Sequence, residues 1–178
     1  MKDLLKRLNP APEVMFQILL DDGIFPNNAR LPLILYRGAA GLPEENPGSV
    51  FEELYAQNQW GGSWKNGVFD FHHYHSVAHE CLGILLGNAE VRLGGDSGIT
   101  VEIKRGDVVI IPAGVAHQSL SASPDFSVIA AYPIGQSPDM NYGKPGERPH
   151  TDQNIAEVNL PLADPIYGKK GFLMERWK

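Results

Sequence analysis

Four side chains between Phe69 and His117 can bind one metal ion together: His73, His75, Glu80 and His117. Imidazole nitrogens and carboxylate oxygens are donors that divalent first-row metals accept. His73 and His75 are two positions apart. On an extended strand, residues i and i+2 project to one face, so both rings can reach the same ion. Three neutral imidazoles and one carboxylate around a divalent ion leave a net charge of about +1 and, for a six-coordinate metal, about two open positions. Such a centre can take oxygen together with a chelating substrate, or bind an enediolate oxygen by Lewis-acid action.

The spacing leaves the fourth donor open. Glu80 lies five positions past His75, an odd number, so an unbroken strand would aim it at the opposite face. A turn or bulge near Ser76-Val77-Ala78 must re-aim it. His79, four positions past His75, would share the face of a straight strand and is the rival donor, or a weak candidate for catalytic proton transfer. His72 has the opposite parity to His73 and reads as an exposed or hydrogen-bonded histidine. Phe69 and Phe71 share parity with the first two histidines, and Ser119 and Ser121 with His117, which makes these four the candidates for the pocket wall. Cys81, next to Glu80, faces away from the metal on a regular strand and reads as a small core residue.

The elements that must position these groups are mostly strands. Short apolar or alternating runs cover Phe69–His75, Glu80–Leu86, Ala89–Leu93, Ile99–Ile103, Asp107–Ile111, Ala116–Leu120 and Phe126–Tyr132. Gly87-Asn88 reads as a tight hairpin turn and Gly94 to Gly98 as a longer one. Seven strands with turns this regular predict an all-β sandwich or barrel of jelly-roll layout. Ahead of them, residues 1–60 read as an N-terminal arm. It has a short helix over Met1 to Leu8, a strand over Val14 to Leu20 and an apolar run over Leu33 to Tyr36. A capping box at Ser49–Glu52 opens a helix to about Asn58. Trp60 to Trp64 reads as a loop. Residues 61–133 form the core, and residues 134–178, rich in proline, read as an irregular tail whose Tyr142, Tyr167, Phe172 and Trp177 can pack on the barrel or on a second subunit. One structural domain is expected.

Composition narrows the partners. With 178 residues, 43% hydrophobic and 20% charged, the chain has the make-up of a soluble globular protein, and 19 Gly with 14 Pro point to turns rather than long helices. The net charge of -6 and scattered basic residues argue against nucleic acid or an anionic membrane as a partner. The start lacks the apolar stretch of a signal peptide and no run reaches the length of a membrane span, so the cytoplasm is the expected compartment. The single cysteine, Cys81, cannot form an internal disulfide, which fits a reducing environment.

The frame around the candidate ligands is more specific than the ligands alone. It reads Gly67, five residues, His73-Tyr74-His75, four residues, Glu80, six residues, Gly87. After eighteen residues it resumes with Gly106, five residues, Pro112-Ala113-Gly114, two residues, His117. This resembles the two-part motif of the cupin superfamily. The longer runs His72 to Ser76, Ala78-His79-Glu80, Asp22-Gly23 with Phe25 to Asn28, and Asp164-Pro165 with Tyr167-Gly168 resemble the small bacterial YjlB-type cupins over most of the chain. The resemblance implies a double-stranded β-helix and a metal held by His73, His75, Glu80 and His117, which takes Glu80 rather than His79. It also implies a homodimer. The family pattern ends on Asn where this chain has Ser121, a departure outside the ligand set. Iron, manganese, nickel and cobalt suit the donor set. Zinc is possible but would be filled by four donors. Three functions stay open: a metal-dependent dioxygenase or isomerase acting on a small polar metabolite, a non-catalytic metal-dependent small-molecule binding or sensing module, and a storage role.

Overall fold

A computed structural model describes residues 2–178, with side chains from residue 4 onward. The order of elements is α1 (Lys2–Arg7), β1 (Glu13–Leu19), β2 (Asn28–Arg37), α2 (Gly48–Gln57), β3 (Trp60–Asn66), β4 (Glu80–Leu86), β5 (Asn88–Leu93), β6 (Ile99–Lys104), β7 (Val108–Ile111), β8 (His117–Ala122), β9 (Ser127–Pro133), α3 (His150–Glu157) and α4 (Phe172–Arg176). Met1, included in the helix expected at the start, lies outside the described residues. The strands form an antiparallel six-stranded sheet, β1-β2-β7-β4-β9-β3, and a three-stranded sheet, β6-β5-β8. This is the all-β jelly roll expected of the strand pattern.

Two apolar layers explain the sequence of the larger sheet. Leu33, Leu35, Leu82, Ile84, Val109, Ile111, Val128 and Ala130 point between the sheets, where Val91, Leu93 and Ile103 meet them. The intervening residues Ile34, Tyr36, Cys81, Val108, Ile110, Ile129 and Ala131 point outward. There they are covered by Phe51, Leu54 and Tyr55 of α2 and by Leu173 and Trp177 at the end of the chain. Strands buried on both faces read as unbroken apolar runs, and that is how Val108–Ile111 and Ser127–Tyr132 read. The first sixty residues supply β1 and β2, and β2 sits inside the larger sheet between β1 and β7.

Five local expectations are corrected. The helix α2 begins at Gly48, with Pro47 as its N-cap and no side-chain cap. Ser49 therefore falls inside the first turn, where its hydroxyl donates to the Asn46 carbonyl, and Glu52 pairs with Lys65 instead of closing a capping box. Trp60 to Trp64 is not a loop but most of β3, paired with β9 through a register shift between Gly61 and Trp64. Phe69–His75 is not a continuous strand, and only His73 and Tyr74 make isolated bridges. Gly87-Asn88 is not a hairpin, because β4 and β5 lie in different sheets. It is the corner where the chain changes layer, with Gly87 at φ +63°; a Cβ there would come within 2.2 Å of Ser123 Oγ. Finally, the tail is not irregular throughout: it carries α3 and α4.

Candidate metal centre

The second half of the frame delivers His117 by regular means. Strand β7 ends at Ile111, and a turn through Pro112 to Val115 leads into β8, whose first residue is His117. Gly114 in this turn has φ +92°, and a Cβ would sit 2.4 Å from the Asn27 carbonyl oxygen, so only glycine fits. His117 pairs with Leu93 of β5 on one side. On the other side it exchanges two backbone hydrogen bonds with His73, at 2.9 and 3.2 Å. That bridge places the first-half segment beside β8.

The first half is extended but lacks a ladder of its own. Phe69, Phe71, His73 and His75 nonetheless line up on one side, with ring centroids 4.9 Å apart for Phe69 and Phe71, 5.1 Å for Phe69 and His73, and 5.7 Å for His73 and His75. Tail residues hold this segment from behind. Tyr74 exchanges backbone bonds with Asn141, and its hydroxyl donates to the Glu147 carboxylate and accepts from the Thr151 hydroxyl, each at 3.1 Å. The Asp139 carboxylate accepts the Ser76 amide at 2.6 Å, the Val77 amide at 3.3 Å and the Ser76 hydroxyl. Burial would raise the Asp139 pKa, but hydrogen bonds from Ser76, Asn141 and the two amides hold it below the usual carboxylate range. The clamp fixes a bend at Ser76-Val77, where the odd spacing requires one.

Beyond the bend the chain enters β4 with Glu80 pointing inward and its neighbours outward. Glu80 Oε2 stands 3.2 Å from His117 Nε2 and 3.5 Å from His75 Nε2. Ring nitrogens of His73, His75 and His117, all buried, lie within 4.8 Å of one another. His79 is not brought to this cluster. It is buried on the outer face, accepts the Ala113 amide through Nδ1 at 2.9 Å and packs on Trp177 at 4.6 Å between ring centroids. Burial pushes its pKa down to about 3. His72 turns away as well, with Nε2 3.2 Å from Asp96 and its ring against Phe25. Cys81 is buried beside Tyr55.

The hydrogen bonds of the three clustered imidazoles fix which nitrogen is free. Nδ1 of His73 faces the Phe71 carbonyl at 3.2 Å, Nδ1 of His117 faces the Val115 carbonyl at 3.1 Å, and Nδ1 of His75 faces the Asp139 carbonyl. A carbonyl oxygen can only accept, so each Nδ1 carries the proton and each Nε2 of a neutral ring keeps its lone pair. This is the arrangement in which metal-binding histidines are held. Glu80 Oε2 is buried with no aligned donor, although two imidazole nitrogens lie close to it. Lone pairs converging on one point, with a buried carboxylate oxygen left without a hydrogen bond, fit a cation better than they fit one another.

Electrostatics distinguishes the ring that is already neutral from the one that must give up a proton to a metal. Burial, reinforced by the neighbouring His117, pushes the His73 pKa down to about 3, so this ring is neutral over the physiological range. Burial would also lower His75, but the Glu80 carboxylate outweighs it and the net shift is upward. Burial would raise Glu80, but His75 and His117 hold it well below the ordinary value, so the carboxylate is ionised.

The cavity at this cluster measures about 10 Å³ and is lined by Trp64, Gly67, Val68, Phe69, Leu82 and the site residues His73, Glu80 and His117. That is room for about one water molecule. Of the four wall candidates, Phe69 lines it and Phe71 stacks on Phe69 at the rim. Ser119 and Ser121 lie further along β8, with the Ser119 amide bonded to the Phe69 carbonyl at 2.8 Å, and neither lines the cavity. Larger hollows of about 420 and 520 Å³ are open grooves on the outer surface, lined respectively by residues such as Gln17, Asp21 and Ser97 and by Asn9, Glu13 and Lys104. Neither holds a histidine. Sequence reasoning missed Trp64, Tyr132 and Asp139. For Tyr132 a signal existed, since it shares strand parity with the inward Val128 and Ala130.

A family model described as a cupin domain matches residues 64–129, a span that holds all four candidate ligands. The protein YjlB of Bacillus subtilis, itself described as uncharacterized, is 43% identical over 157 residues, covering 88% of this chain and 92% of YjlB. Among solved structures, acireductone dioxygenase from Bacillus anthracis with a cadmium ion in its active centre is similar over 72% of this chain and 83% of its own, at 16% identity and a TM-score of 0.40. A Klebsiella pneumoniae protein with a double-stranded β-helix domain is similar over 79% of this chain and 89% of its own, at 14% identity and a TM-score of 0.37. On the relationship to YjlB and the matching domain, the chain belongs to the cupin superfamily, in the group of small cupins that includes YjlB.

Proposed function

We propose that this protein binds one divalent metal ion through His73, His75, Glu80 and His117, and that it is a metal-dependent enzyme of dioxygenase or isomerase type acting on a small polar metabolite. The observation that carries the metal is the hydrogen bonding of the three imidazoles. Every Nδ1 is committed to a backbone carbonyl, which leaves Nε2 lone pairs beside a buried carboxylate oxygen without a donor. Iron, manganese, nickel or cobalt suits three nitrogens and one oxygen with positions to spare, whereas zinc would be completed by four donors. When bound, the ion would supply Lewis acidity, or redox chemistry if it is iron or manganese.

The chain's own residues set the rest. Trp64, Val68, Phe69 and Leu82 exclude water from the cluster and lower the local dielectric, which strengthens the electrostatics of the carboxylate. Tyr132 donates to Glu80 and keeps one of its oxygens occupied. His79, packed on Trp177, does not face the cluster and is not assigned to proton transfer. A substrate larger than water must displace Trp64 or Phe69, or approach over Phe71. This narrowness favours a second reading, a metal-dependent binding module without turnover.

Elemental analysis of untagged protein tests the metal: wild type carries close to one equivalent, and Glu80→Ala and His117→Ala carry none. Metal-free wild type, or full retention by both variants, would refute the site. Oxygen consumption and product formation across a metabolite panel, with iron or manganese restored, separate the two readings. Saturable binding without turnover would select the module. We further propose a cytoplasmic homodimer, on the single buried cysteine and the resemblance to the small cupins. Light scattering giving the monomer mass would overturn the dimer.

A further inference from the structure

Glu80 meets the histidine cluster with one oxygen because its other oxygen is already engaged. Strand β9 lies beside β4, with Ala131 opposite Cys81. From it, the hydroxyl of Tyr132 donates to Glu80 Oε1 at 2.8 Å. The indole Nε1 of Trp64 donates in turn to the Tyr132 hydroxyl oxygen at 2.8 Å. The direction of this chain is fixed by chemistry. An indole N–H can only donate and an ionised carboxylate can only accept, so the phenol between them must accept from Trp64 and donate to Glu80. Burial and the adjacent Glu80 carboxylate both raise the phenol's pKa, so it stays protonated and remains a donor.

Trp64 reaches this position through a local irregularity. Strand β3 shifts register against β9 between Gly61 and Trp64, and Gly62 adopts φ +63°. A bulge of this kind re-aims the side chain that follows it. Trp64 therefore stands at the mouth as a wall of the small cavity and as the outer end of the hydrogen-bond chain. With Oε1 tied to Tyr132, the carboxylate cannot rotate freely, and Oε2 alone faces His75 and His117.

We propose that Trp64 and Tyr132 are positioning residues that restrict Glu80 to a single ligating oxygen, keeping further positions at the metal open. The proposal rests on the metal-binding reading above and deepens it. A carboxylate released from Tyr132 can turn both oxygens toward the ion and fill a position that substrate would need. Groups that orient metal ligands in this way typically change affinity by about 10- to 100-fold when removed.

Cobalt(II) serves as the probe, because its visible absorption reports coordination number while a competing chelator reports affinity. In Tyr132→Phe, cobalt affinity is expected to fall by about tenfold or more and the visible bands to change shape and intensity. Trp64→Phe is expected to shift both in the same direction and by less. The double variant should match Tyr132→Phe alone, since phenylalanine keeps an aromatic wall at position 64 and removes only the indole's bond to the hydroxyl; an additive loss would overturn the relay. Trp64→Phe also guards against a Tyr132 variant that folds poorly, because it leaves the Tyr132–Glu80 bond in place. Unchanged affinity and spectrum in Tyr132→Phe, with cobalt bound normally by wild type, would overturn the proposal and leave the metal site standing. Absence of cobalt binding by wild type would overturn the metal reading itself.

Discussion

His117 and the pair His73 and His75 reach one point in space from supports of different construction. His117 opens β8 and is paired with β5, behind a turn closed by the bond from the Val115 amide to the Pro112 carbonyl. His73 and His75 sit on an extended segment that is no strand: backbone bonds tie His73 to His117, His75 to Gly114 and Phe69 to Ser119, while Asp139, Asn141, Glu147 and Thr151 of the tail hold it from the other side. The ladder repeats a backbone pattern that any strand can make. The clamp depends on particular side chains and is lost one contact at a time. One half of the proposed ligand set thus inherits the rigidity of the barrel, and the other rests on the barrel on one side and on a segment more than sixty residues later in the chain on the other.

The comparison can be broken at either support. The largest effect is expected from His117→Ala, which removes a donor from the rigid half: stoichiometric metal should disappear in elemental analysis while thermal unfolding stays cooperative. Native-state hydrogen exchange should show the contrast without mutation. Amides of Leu82, Val109 and Ile110, within paired and doubly covered strands, should exchange at least about 100-fold more slowly than the amide of Val77, whose acceptor is a single carboxylate. Equal protection would remove the distinction drawn between the two supports. Asp139→Ala should free the Ser76-Val77 bend and weaken metal binding by about 10- to 100-fold. The same substitution should leave the slow exchange of β4 and β7 unchanged. The smallest expected effect is that of pH. The pKa of His75 is raised by Glu80, and this proton must leave when metal binds. Affinity should therefore fall as pH falls through the raised His75 value, by about tenfold per unit below it for a single displaced proton. A flat profile in competition titrations between pH 8 and pH 6 would show that His75 takes up metal without giving up a proton.

The same contrast explains what the sequence made legible. Strands β4 to β9 follow from alternation, apolar runs and turn glycines within a few residues of each element, so their bounds are readable to within a residue or two. The nearness of His73 to His75 follows from spacing alone, and the need for a bend before Glu80 follows from parity. The agent of that bend does not, because Asp139 acts through space from a stretch that reads as irregular tail. Gly87 shows the same limit. A glycine with positive φ between two strands fits a hairpin and a corner equally well, and only the separation of β4 and β5 into different sheets distinguishes them. Trp64 is hidden for a related reason: two glycines before it read as a loop, whereas the structure uses them to bulge an edge strand.

The clamp also fixes an order of assembly. Every strand of both sheets ends by Pro133, whereas Asp139, Asn141, Glu147 and Thr151 all follow it. During synthesis the strands can pair while the segment bearing His73 and His75 has its backbone bonds to His117 and Gly114 but still lacks the clamp from the tail, since the N-terminal part of a chain emerges first. Competence to take up metal then arrives late, as the stretch around Asp139 docks behind Ser76. A nascent chain halted before that point would lack the clamp on the Ser76-Val77 bend, and also Leu173 and Trp177, which cover the outer face of the larger sheet.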